Sequence, residues 1–114
     1  MNTHAIGVVG EDLACKYLCK KGYKILERNF SCKYGEIDVI AQQRGYYVFI
    51  EVKSRSSLMY GAPCEAVTPY KQRRIISAAK YWLTVNHKVG SPVRFDVVEV
   101  LEGTPSIIAD AFRL

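Results

Sequence analysis

Charged residues stand at every second position within two neighbouring segments that are otherwise largely apolar. The charged positions are Glu36 and Asp38 in residues 35–41, and Glu51, Lys53 and Arg55 in residues 46–55. Side chains of a β-strand point to alternate faces, so the charged members of each segment share one face of their strand. Two acids on one strand, beside an acid and two bases on the next, predict a cluster of ionised groups among apolar residues.

The short connection between these segments decides whether their charges meet. A two-residue turn at Arg44–Gly45 places Asp38 directly opposite Glu51. The same register places Glu36 opposite Lys53. Opposed residues of an antiparallel pair have Cβ atoms about 4.5–5.5 Å apart. A three-residue turn would instead put Asp38 and Glu51 on different faces unless a bulge restored them, so the register is a hypothesis.

Two facing carboxylates repel each other and are expensive to bury without a compensating positive charge. Lys53 and Arg55 supply part of that charge. A divalent cation would supply the rest, and oxygen-rich sites of this kind suit Mg²⁺ or Mn²⁺. The alternative is a structural ion-pair cluster in which Asp38, Glu51 and Lys53 only neutralise one another. Glu36 is then either an outer acid of a metal site or simply a partner for Lys53.

A third acid, Glu11, lies in the predicted first helix. It is spaced at i, i+3 and i+7 with Ala14 and Leu18, along one edge of the apolar stripe. A carboxylate in that position can reach a site on the sheet, so Glu11 is a candidate third metal ligand. The alternative is an acid near the helix start that complements the helix dipole.

The reaction that this set of acidic and basic side chains suits is phosphodiester hydrolysis. A metal ion would polarise the scissile phosphate and lower the pKa of a bound water. Lys53 can orient that water or steady the developing charge. Candidates for holding the nucleic-acid backbone are Arg55, Lys71, Arg73 and Arg74. The last three lie close to a predicted helix N-terminus, where phosphates bind readily, although a solvated basic helix face is the alternative.

The surrounding pattern predicts a single α/β domain over residues 1–114. The predicted elements are a helix over residues 5–21, strands over residues 23–30, 36–42 and 46–55, a second helix that begins at Pro69 with Thr68 as its cap, and strands over residues 93–101 and 106–112. Residues 56–66 are predicted as a loop. This order favours a mixed central sheet of four to five strands flanked by helices. Tyr46, Tyr47 and Phe49 are predicted to pack in the core or at an edge, with stacking on unpaired bases as the alternative.

The composition suits a partner that carries phosphates. The 114 residues include 16 Lys and Arg against 11 Asp and Glu, which gives a formal net charge of +5 and a pI of about 9.1. A basic domain attracts nucleic acid and anionic membranes alike. The longest apolar run, residues 46–50, is far too short to span a bilayer, and the first ten residues do not resemble a signal peptide. We therefore expect a soluble cytoplasmic protein without a membrane partner, whose cysteines are free thiols.

In their order along the chain, these motifs resemble a known family. Asp38, followed by Glu51-Val52-Lys53, resembles the PD-(D/E)xK nuclease motif, and the wider pattern resembles the YraN family of small bacterial proteins, which are related to archaeal Holliday-junction resolvases. The matching segments are Gly10-Glu11 with Ala14, Asn29-Phe30, Gly35 to Asp38, Phe49 to Arg55, Arg94 to Val98, and Ala111-Phe112. The resemblance covers nearly the whole chain, with one departure: Ile37 stands where the class name has a proline.

The resemblance implies a restriction-endonuclease-like fold, with Glu11, Asp38 and Glu51 as metal ligands and Lys53 as the catalytic lysine. The expected function is a Mg²⁺-dependent, endonuclease-like protein that hydrolyses phosphodiester bonds in branched or structured DNA during repair or recombination. One rival hypothesis is a nucleic-acid-binding module of the same fold with little or no turnover. Another is a structural or protein-interaction domain. A homodimer, which would supply two sites for a junction, and a larger protein partner both stay open.

Overall fold

The computed structural model of this protein describes residues 3–55 and 67–114, with side chains of the first helix described from residue 9 onward. The elements in chain order are α1 (Thr3–Lys20), β1 (Lys24–Cys32), β2 (Gly35–Gln43), β3 (Tyr46–Arg55), α2 (Pro69–Val85), β4 (Val93–Leu101) and β5 (Thr104–Phe112). Every predicted helix and strand is present. The loop predicted for residues 56–66 lies outside the described residues.

The five strands form one sheet in the order β1-β2-β3-β4-β5. All neighbouring pairs are antiparallel except β3 and β4, which are parallel. A parallel pair needs a long connection between its strands, and α2 lies in that connection. The predicted α/β class with a mixed sheet is therefore confirmed, and the arrangement is consistent with a restriction-endonuclease-like fold.

The two helices pack on opposite faces of the sheet. Phe49 of β3 contacts Trp82 of α2, with ring centroids 5.8 Å apart. Its neighbours Val48 and Ile50 belong instead to the apolar cluster around Leu18 of α1. Alternate residues of the strand thus pack into two separate apolar cores, as expected for side chains that point to alternate faces of a sheet. No helix within residues 3–55 and 67–114 is long and apolar enough to cross a membrane.

A two-residue turn joins β2 to β3. Arg44 and Gly45 both have positive φ angles, 50° and 83°. Turns of this kind match the right-handed twist of a hairpin and favour glycine at the second position. Gln43 therefore pairs with Tyr46, and the predicted register at this end of the hairpin is confirmed.

The start of α2 is fixed by its capping residues. The Thr68 hydroxyl accepts a hydrogen bond of 3.2 Å from the backbone N–H of Lys71, and Pro69 occupies the first turn. This cap satisfies a backbone donor that the helix itself cannot pair. The predicted helix start is confirmed, and the cap fixes the position of Lys71 in the first turn of α2.

A buried ionic cluster ties the sheet together at the end where β4 begins. Asp96 is fully buried, and its carboxylate accepts hydrogen bonds from the Tyr23 hydroxyl at 2.7 Å and from the backbone N–H of Asp110 at 2.9 Å. The Arg94 guanidinium lies 2.9 Å from the same carboxylate and also donates to Gln43. Burial of Tyr23 and its bond to Asp96 raise the pKa of the Tyr23 hydroxyl. The charge of Asp96 is thus paired and hydrogen-bonded, as burial requires.

Candidate active site

The sheet opens between β2 and β3 at the end where the predicted acids lie. Paired residues end at Val39 and Ile50. Beyond them, the Asp38 carboxylate accepts a hydrogen bond of 2.8 Å from the backbone N–H of Val52. Because a side chain takes this backbone donor, the predicted direct pairing of Asp38 with Glu51 in the ladder is wrong. Both acids nevertheless line the same cavity at the opening.

The predicted position of Glu36 opposite Lys53 is also wrong. Glu36 pairs with Ser31 of β1, since at this end β2 continues alongside β1 after its pairing with β3 has ended. Its side chain is exposed at the rim of the cavity that Asp38 and Glu51 line. Glu36 is therefore an accessible acid near the site rather than a cross-strand partner of the lysine.

Glu51 is the buried charge at the centre of the site. The residue is only 5% exposed. Lys71 Nζ lies 2.7 Å from Glu51 Oε1, and Lys53 Nζ lies 3.4 Å from the same oxygen. The two lysines come from different elements, α2 and β3, so their contacts with one carboxylate join the helix to the sheet. Side chains of the protein thus supply much of the positive charge that the sequence pattern requires.

Asp38 is held in a form that resists ionisation. Burial and the nearby charge of Glu51 raise the pKa of the Asp38 carboxyl to about 7. The hydrogen bond from Val52 and the charge of Lys71 act in the opposite direction but do not cancel this rise. The surroundings of the two acids differ, because Glu51 contacts two lysine ammonium groups and Asp38 accepts a backbone hydrogen bond.

Glu11 lies at the edge of the site and forms an ion pair with Arg28. Its side chain is 14% exposed and lies 3.2 Å from the Arg28 guanidinium, which also binds the neighbouring Asp12 at 2.8 Å. The charge of Glu11 still contributes to the raised pKa of Asp38. The charge of Glu11 is thus felt at Asp38, while its carboxylate is held by Arg28 of β1.

The donor atoms suit a hard divalent cation, although the described part of the chain assembles no complete set of three ligands. Among the residues that the structure describes, no three His, Cys, Asp or Glu side chains converge as a metal-binding group. Asp38 and Glu51 offer carboxylate oxygens beside one cavity, and such oxygens are the ligands that Mg²⁺ prefers. The pair therefore fits Mg²⁺ or Mn²⁺ in its chemistry. Glu11 would complete the set only by leaving Arg28.

A cavity of about 400 Å³ gives access to these acids. Its wall is built from β2 and the first turns of α2, which approach closely at Gly35. A Cβ atom at Gly35 would lie 3.1 Å from the backbone oxygen of Arg74. Glycine therefore allows the close contact that closes one side of the cavity. Tyr70 and Lys71 complete the helical wall.

The four predicted phosphate-binding residues have different surroundings. Arg55 forms an ion pair with Glu99 of β4, and its side chain is 11% exposed. Lys71 points at Glu51. Arg73 and Arg74 are exposed on α2, and Arg74 lines the cavity. Only the last two thus have the open position that a backbone contact needs, because Arg55 is covered and Lys71 belongs to the site itself.

Comparison with known proteins identifies the family. Residues 10–100 match the model described as "Uncharacterised protein family UPF0102". The chain belongs to the UPF0102 family. A UPF0102 protein of Clostridium perfringens is 55% identical over 116 residues, which cover 96% of this chain and 95% of the relative. A UPF0102 protein of Lachnoclostridium phytofermentans is 48% identical, and the match covers 98% of this chain and 96% of the relative. A UPF0102 protein of Rhodococcus opacus is also 48% identical, and the match covers 95% of this chain and 96% of the relative. UPF0102 and YraN are two names for one family, so the family predicted from the sequence motifs is confirmed.

Two features of this UPF0102 site were missing from the sequence-based prediction. The contact of Lys71 with Glu51 was not predicted, and the predicted contact of Lys71 with phosphate stays a prediction. Tyr70 was not singled out, yet it lines the cavity and is 64% exposed. The Thr68-Pro69 cap indicated where the first turn of α2 begins in the sequence, but not which part of the sheet that turn covers.

Proposed function

We propose that this UPF0102 chain is a metal-dependent, endonuclease-like phosphodiester hydrolase of the PD-(D/E)xK class. Its proposed substrate is branched or structured DNA in repair or recombination. One observation carries the proposal. The buried carboxylate of Glu51, contacted by Lys53 and Lys71, lies beside Asp38 where the sheet opens into a cavity. A structural ion pair needs no second carboxylate beside it, whereas a site for Mg²⁺ or Mn²⁺ uses two or more carboxylate oxygens.

Asp38 and Glu51 would hold Mg²⁺ or Mn²⁺, with Glu11 as a third ligand. The bound ion would supply polarisation of the scissile phosphate and a more acidic water. Asp38 must lose its proton to act as a ligand, and its raised pKa therefore links binding of the ion to pH. In the absence of the ion, the ion pair with Arg28 holds the carboxylate of Glu11 at the edge of the site.

The lysines have separate tasks in this proposal. Lys53 lies beside Glu51 on the same strand, where its ammonium group can orient a water or steady the charge that develops on the phosphate. Lys71 reaches the same oxygen from α2 and neutralises Glu51 when no cation is bound. Displacement of Lys71 from Glu51 would free an ammonium group for the substrate phosphate. Arg74, at the mouth of the cavity, would hold an adjacent phosphate.

A second candidate is a nucleic-acid-binding module without turnover. One observation favours it: the charge of Glu51 is already matched by two lysines, so the site is electrostatically satisfied without a cation. Such a protein would bind the same substrates through Arg73 and Arg74. It would neither cut them nor respond to divalent ions.

The test is a cleavage and binding assay on labelled duplex, single-stranded, flap and four-way-junction DNA, with RNA in parallel. Each substrate is incubated with Mg²⁺, Mn²⁺ or EDTA. Glu51→Gln removes the central charge, and Asp110→Asn, an exposed acid near the other end of the sheet, is the matched control. Cutting that needs the metal and disappears only in Glu51→Gln supports the hydrolase. Binding without cutting in all conditions rejects it in favour of the module.

A further inference from the structure

An exposed aromatic and basic surface continues from the candidate site along α2. Five exposed residues of α2 form one stripe, at spacings of i, i+3, i+4, i+7 and i+11: Tyr70, Arg73, Arg74, Ser77 and Tyr81. The turn between β1 and β2 brings Lys33 and Tyr34 against this stripe. We name these seven residues the tyrosine–arginine surface.

Tyr34 and Tyr81 of this surface pack against other rings, and all three of its tyrosines keep accessible area. The Tyr34 ring centroid lies 5.8 Å from that of Tyr81, which lies 6.3 Å from that of Phe30. Tyr70 is 64% exposed and Tyr34 is 41% exposed. Packing against Phe30 gives Tyr81 a structural role. The same contact gives no structural role to the exposed face of the Tyr70 ring. Exposed aromatic residues that cluster, unlike scattered ones, mark interaction surfaces.

Cations accompany the exposed rings. The Arg74 guanidinium carbon lies 5.9 Å from the Tyr70 ring centroid, and Lys33 Nζ lies 5.2 Å from the Tyr34 ring centroid. A shallow cavity of about 260 Å³ separates the two rings, and its described lining contains Arg73 and Ser77 but no acid. The partner that complements this surface is therefore an anion with flat apolar groups.

The surface is continuous with the candidate active site. Tyr70 and Arg74 line both the shallow cavity and the larger cavity that contains Asp38 and Glu51. A ligand that lies on Tyr34 and Tyr70 therefore extends towards the acids. This position next to the proposed site distinguishes the surface from a separate docking patch elsewhere on the molecule.

We propose that the tyrosine–arginine surface binds unpaired nucleotides of a nucleic-acid strand. Bases stack on Tyr34 and Tyr70, and Lys33, Arg73 and Arg74 hold the phosphates. Stacking on a side chain requires a base whose face is free, which the interior of a duplex does not offer, and it tolerates every base. The inference rests on the proposed function and specifies its substrate class: a strand that is unpaired beside the bond to be cut.

Binding can be tested separately from cleavage. Fluorescence anisotropy in EDTA measures the affinity of the whole protein for a labelled single strand of DNA, the same sequence as RNA, and the matching duplex. The variants are Tyr34→Leu and Tyr70→Leu, which keep apolar bulk but lose the flat ring, and Tyr70→Phe, which keeps the ring. Tyr46→Leu is the matched control, because Tyr46 is also 41% exposed but lies on the β2–β3 hairpin, away from both cavities of the surface.

Single-strand affinity should fall about tenfold in each leucine variant, since stacking of one base contributes on that order. Tyr70→Phe and Tyr46→Leu should bind as the wild type does, and duplex affinity should change little in any variant. Equal DNA and RNA affinity assigns the binding to base and phosphate, and a preference for RNA assigns part of it to the 2′-hydroxyl. Equal losses for single strand and duplex, no loss in the leucine variants, or no binding by the wild type would overturn the inference.

The cleavage assay keeps the two proposals distinguishable. Single-strand binding that depends on Tyr34 and Tyr70, without any metal-dependent cutting, rejects the hydrolase and supports the surface. Cutting that depends on Glu51 but is unchanged in both leucine variants supports the hydrolase and rejects the surface.

Discussion

Lys71 of α2 and Glu51 of β3 are joined by a contact of 2.7 Å between the ammonium nitrogen and Oε1 of the carboxylate. Burial lowers the pKa of Lys71, but its hydrogen bond to Glu51 and the charge of that acid outweigh the effect, so the pKa lies above its ordinary value. Lys71 is therefore charged at neutral pH. The contact fixes the first turn of α2 over the opening in the sheet and keeps a buried acid neutralised.

Replacement of Lys71 should destabilise the metal-free protein. Lys71→Met leaves Glu51 buried with Lys53, whose nitrogen is 3.4 Å away. The lysine side chain is 42% exposed, so solvent screens the pair. We expect the free energy of unfolding to fall by about 1 kcal/mol, measured by urea denaturation in EDTA. Arg73→Met, on the exposed side of the same helix, should change it by less than about 0.5 kcal/mol. Equal effects of the two variants would contradict the assigned contact.

Removal of the Asp38 charge should stabilise the metal-free protein above neutral pH. The pKa of Asp38 rises from 3.8 to about 7 on folding. Between these values the folded state keeps a proton that the unfolded state releases, so this group lowers stability as pH rises and its penalty is complete above about pH 7. Asp38→Asn cannot ionise. It should be more stable than the wild type at pH 8 by about 1 kcal/mol or more.

The stabilisation should vanish at low pH, which separates it from a general effect of the substitution. At about pH 3, below both pKa values, Asp38 is largely protonated in both states and the two proteins should differ little. Glu36→Gln, at the exposed rim of the same cavity, is the matched control and should show no such dependence. Urea denaturation in EDTA at several pH values measures it. A wild type that is the more stable protein at pH 8 would rule out a destabilising Asp38 charge.

The Arg28–Glu11 contact makes a specific prediction about metal binding. If Glu11 is a third ligand, a bound cation must draw it from Arg28, whose nitrogen lies 3.2 Å away. Arg28→Gln removes this competitor and should tighten Mg²⁺ binding several-fold. Isothermal titration calorimetry of the wild type, Arg28→Gln and Arg28→Gln with Glu11→Gln measures the effect. The gain should disappear in the double variant. An affinity that does not respond to Arg28 would remove Glu11 from the ligand set.

Alternation of residue types was sufficient to predict the local parts of the site. Period-two spacing placed Glu51 and Lys53 on one face, and they lie in contact. The Arg44–Gly45 turn was predicted for a similar reason, because its backbone conformation favours glycine. The Thr68 cap is likewise a local signal. Each of these depends on a few neighbouring residues, which the sequence displays directly.

Non-local contacts could not be predicted in the same way. The ladder between β2 and β3 ends because the Asp38 side chain takes a backbone donor of Val52, and no pattern of polarity encodes that competition. Arg55 is covered by Glu99 because β3 and β4 run parallel, a pairing that joins segments about 45 residues apart. The same limit applies to Lys71, whose contact depends on where α2 lies across the sheet.

The Asp96 cluster should respond unequally to loss of its partners. Arg94→Leu leaves a fully buried carboxylate without its cation, and we expect a loss of about 3–5 kcal/mol. Tyr23→Phe removes one hydrogen bond of 2.7 Å and should cost about 1–2 kcal/mol. Asp96→Asn in the Arg94→Leu background should recover part of the loss. Urea denaturation measures all three variants, and an equal or reversed ranking of the single variants would show that Arg94 is not the main partner.

Gly10 should be required for α1 to lie against β3. A Cβ atom at this position would fall 1.7 Å from Ser54 Oγ and 2.9 Å from Ser54 Cβ. Because both distances are shorter than contact allows, Gly10→Ala must push the helix from the strand and should cost about 1–3 kcal/mol. The shift also displaces Glu11, the next residue, so metal affinity should fall as well. Thermal unfolding and calorimetry measure the two effects.

Rescue at Ser54 separates this clash from the intrinsic effect of alanine in a helix. Alanine favours helix over glycine by about 1 kcal/mol, so a loss of stability cannot come from propensity. Ser54→Gly removes both atoms that the new Cβ meets, and the double variant should regain stability and metal affinity relative to Gly10→Ala alone. Ser54→Ala leaves the Cβ at 2.9 Å and should rescue less. Absence of rescue in both double variants would mean that the approach of α1 to β3 does not depend on Gly10.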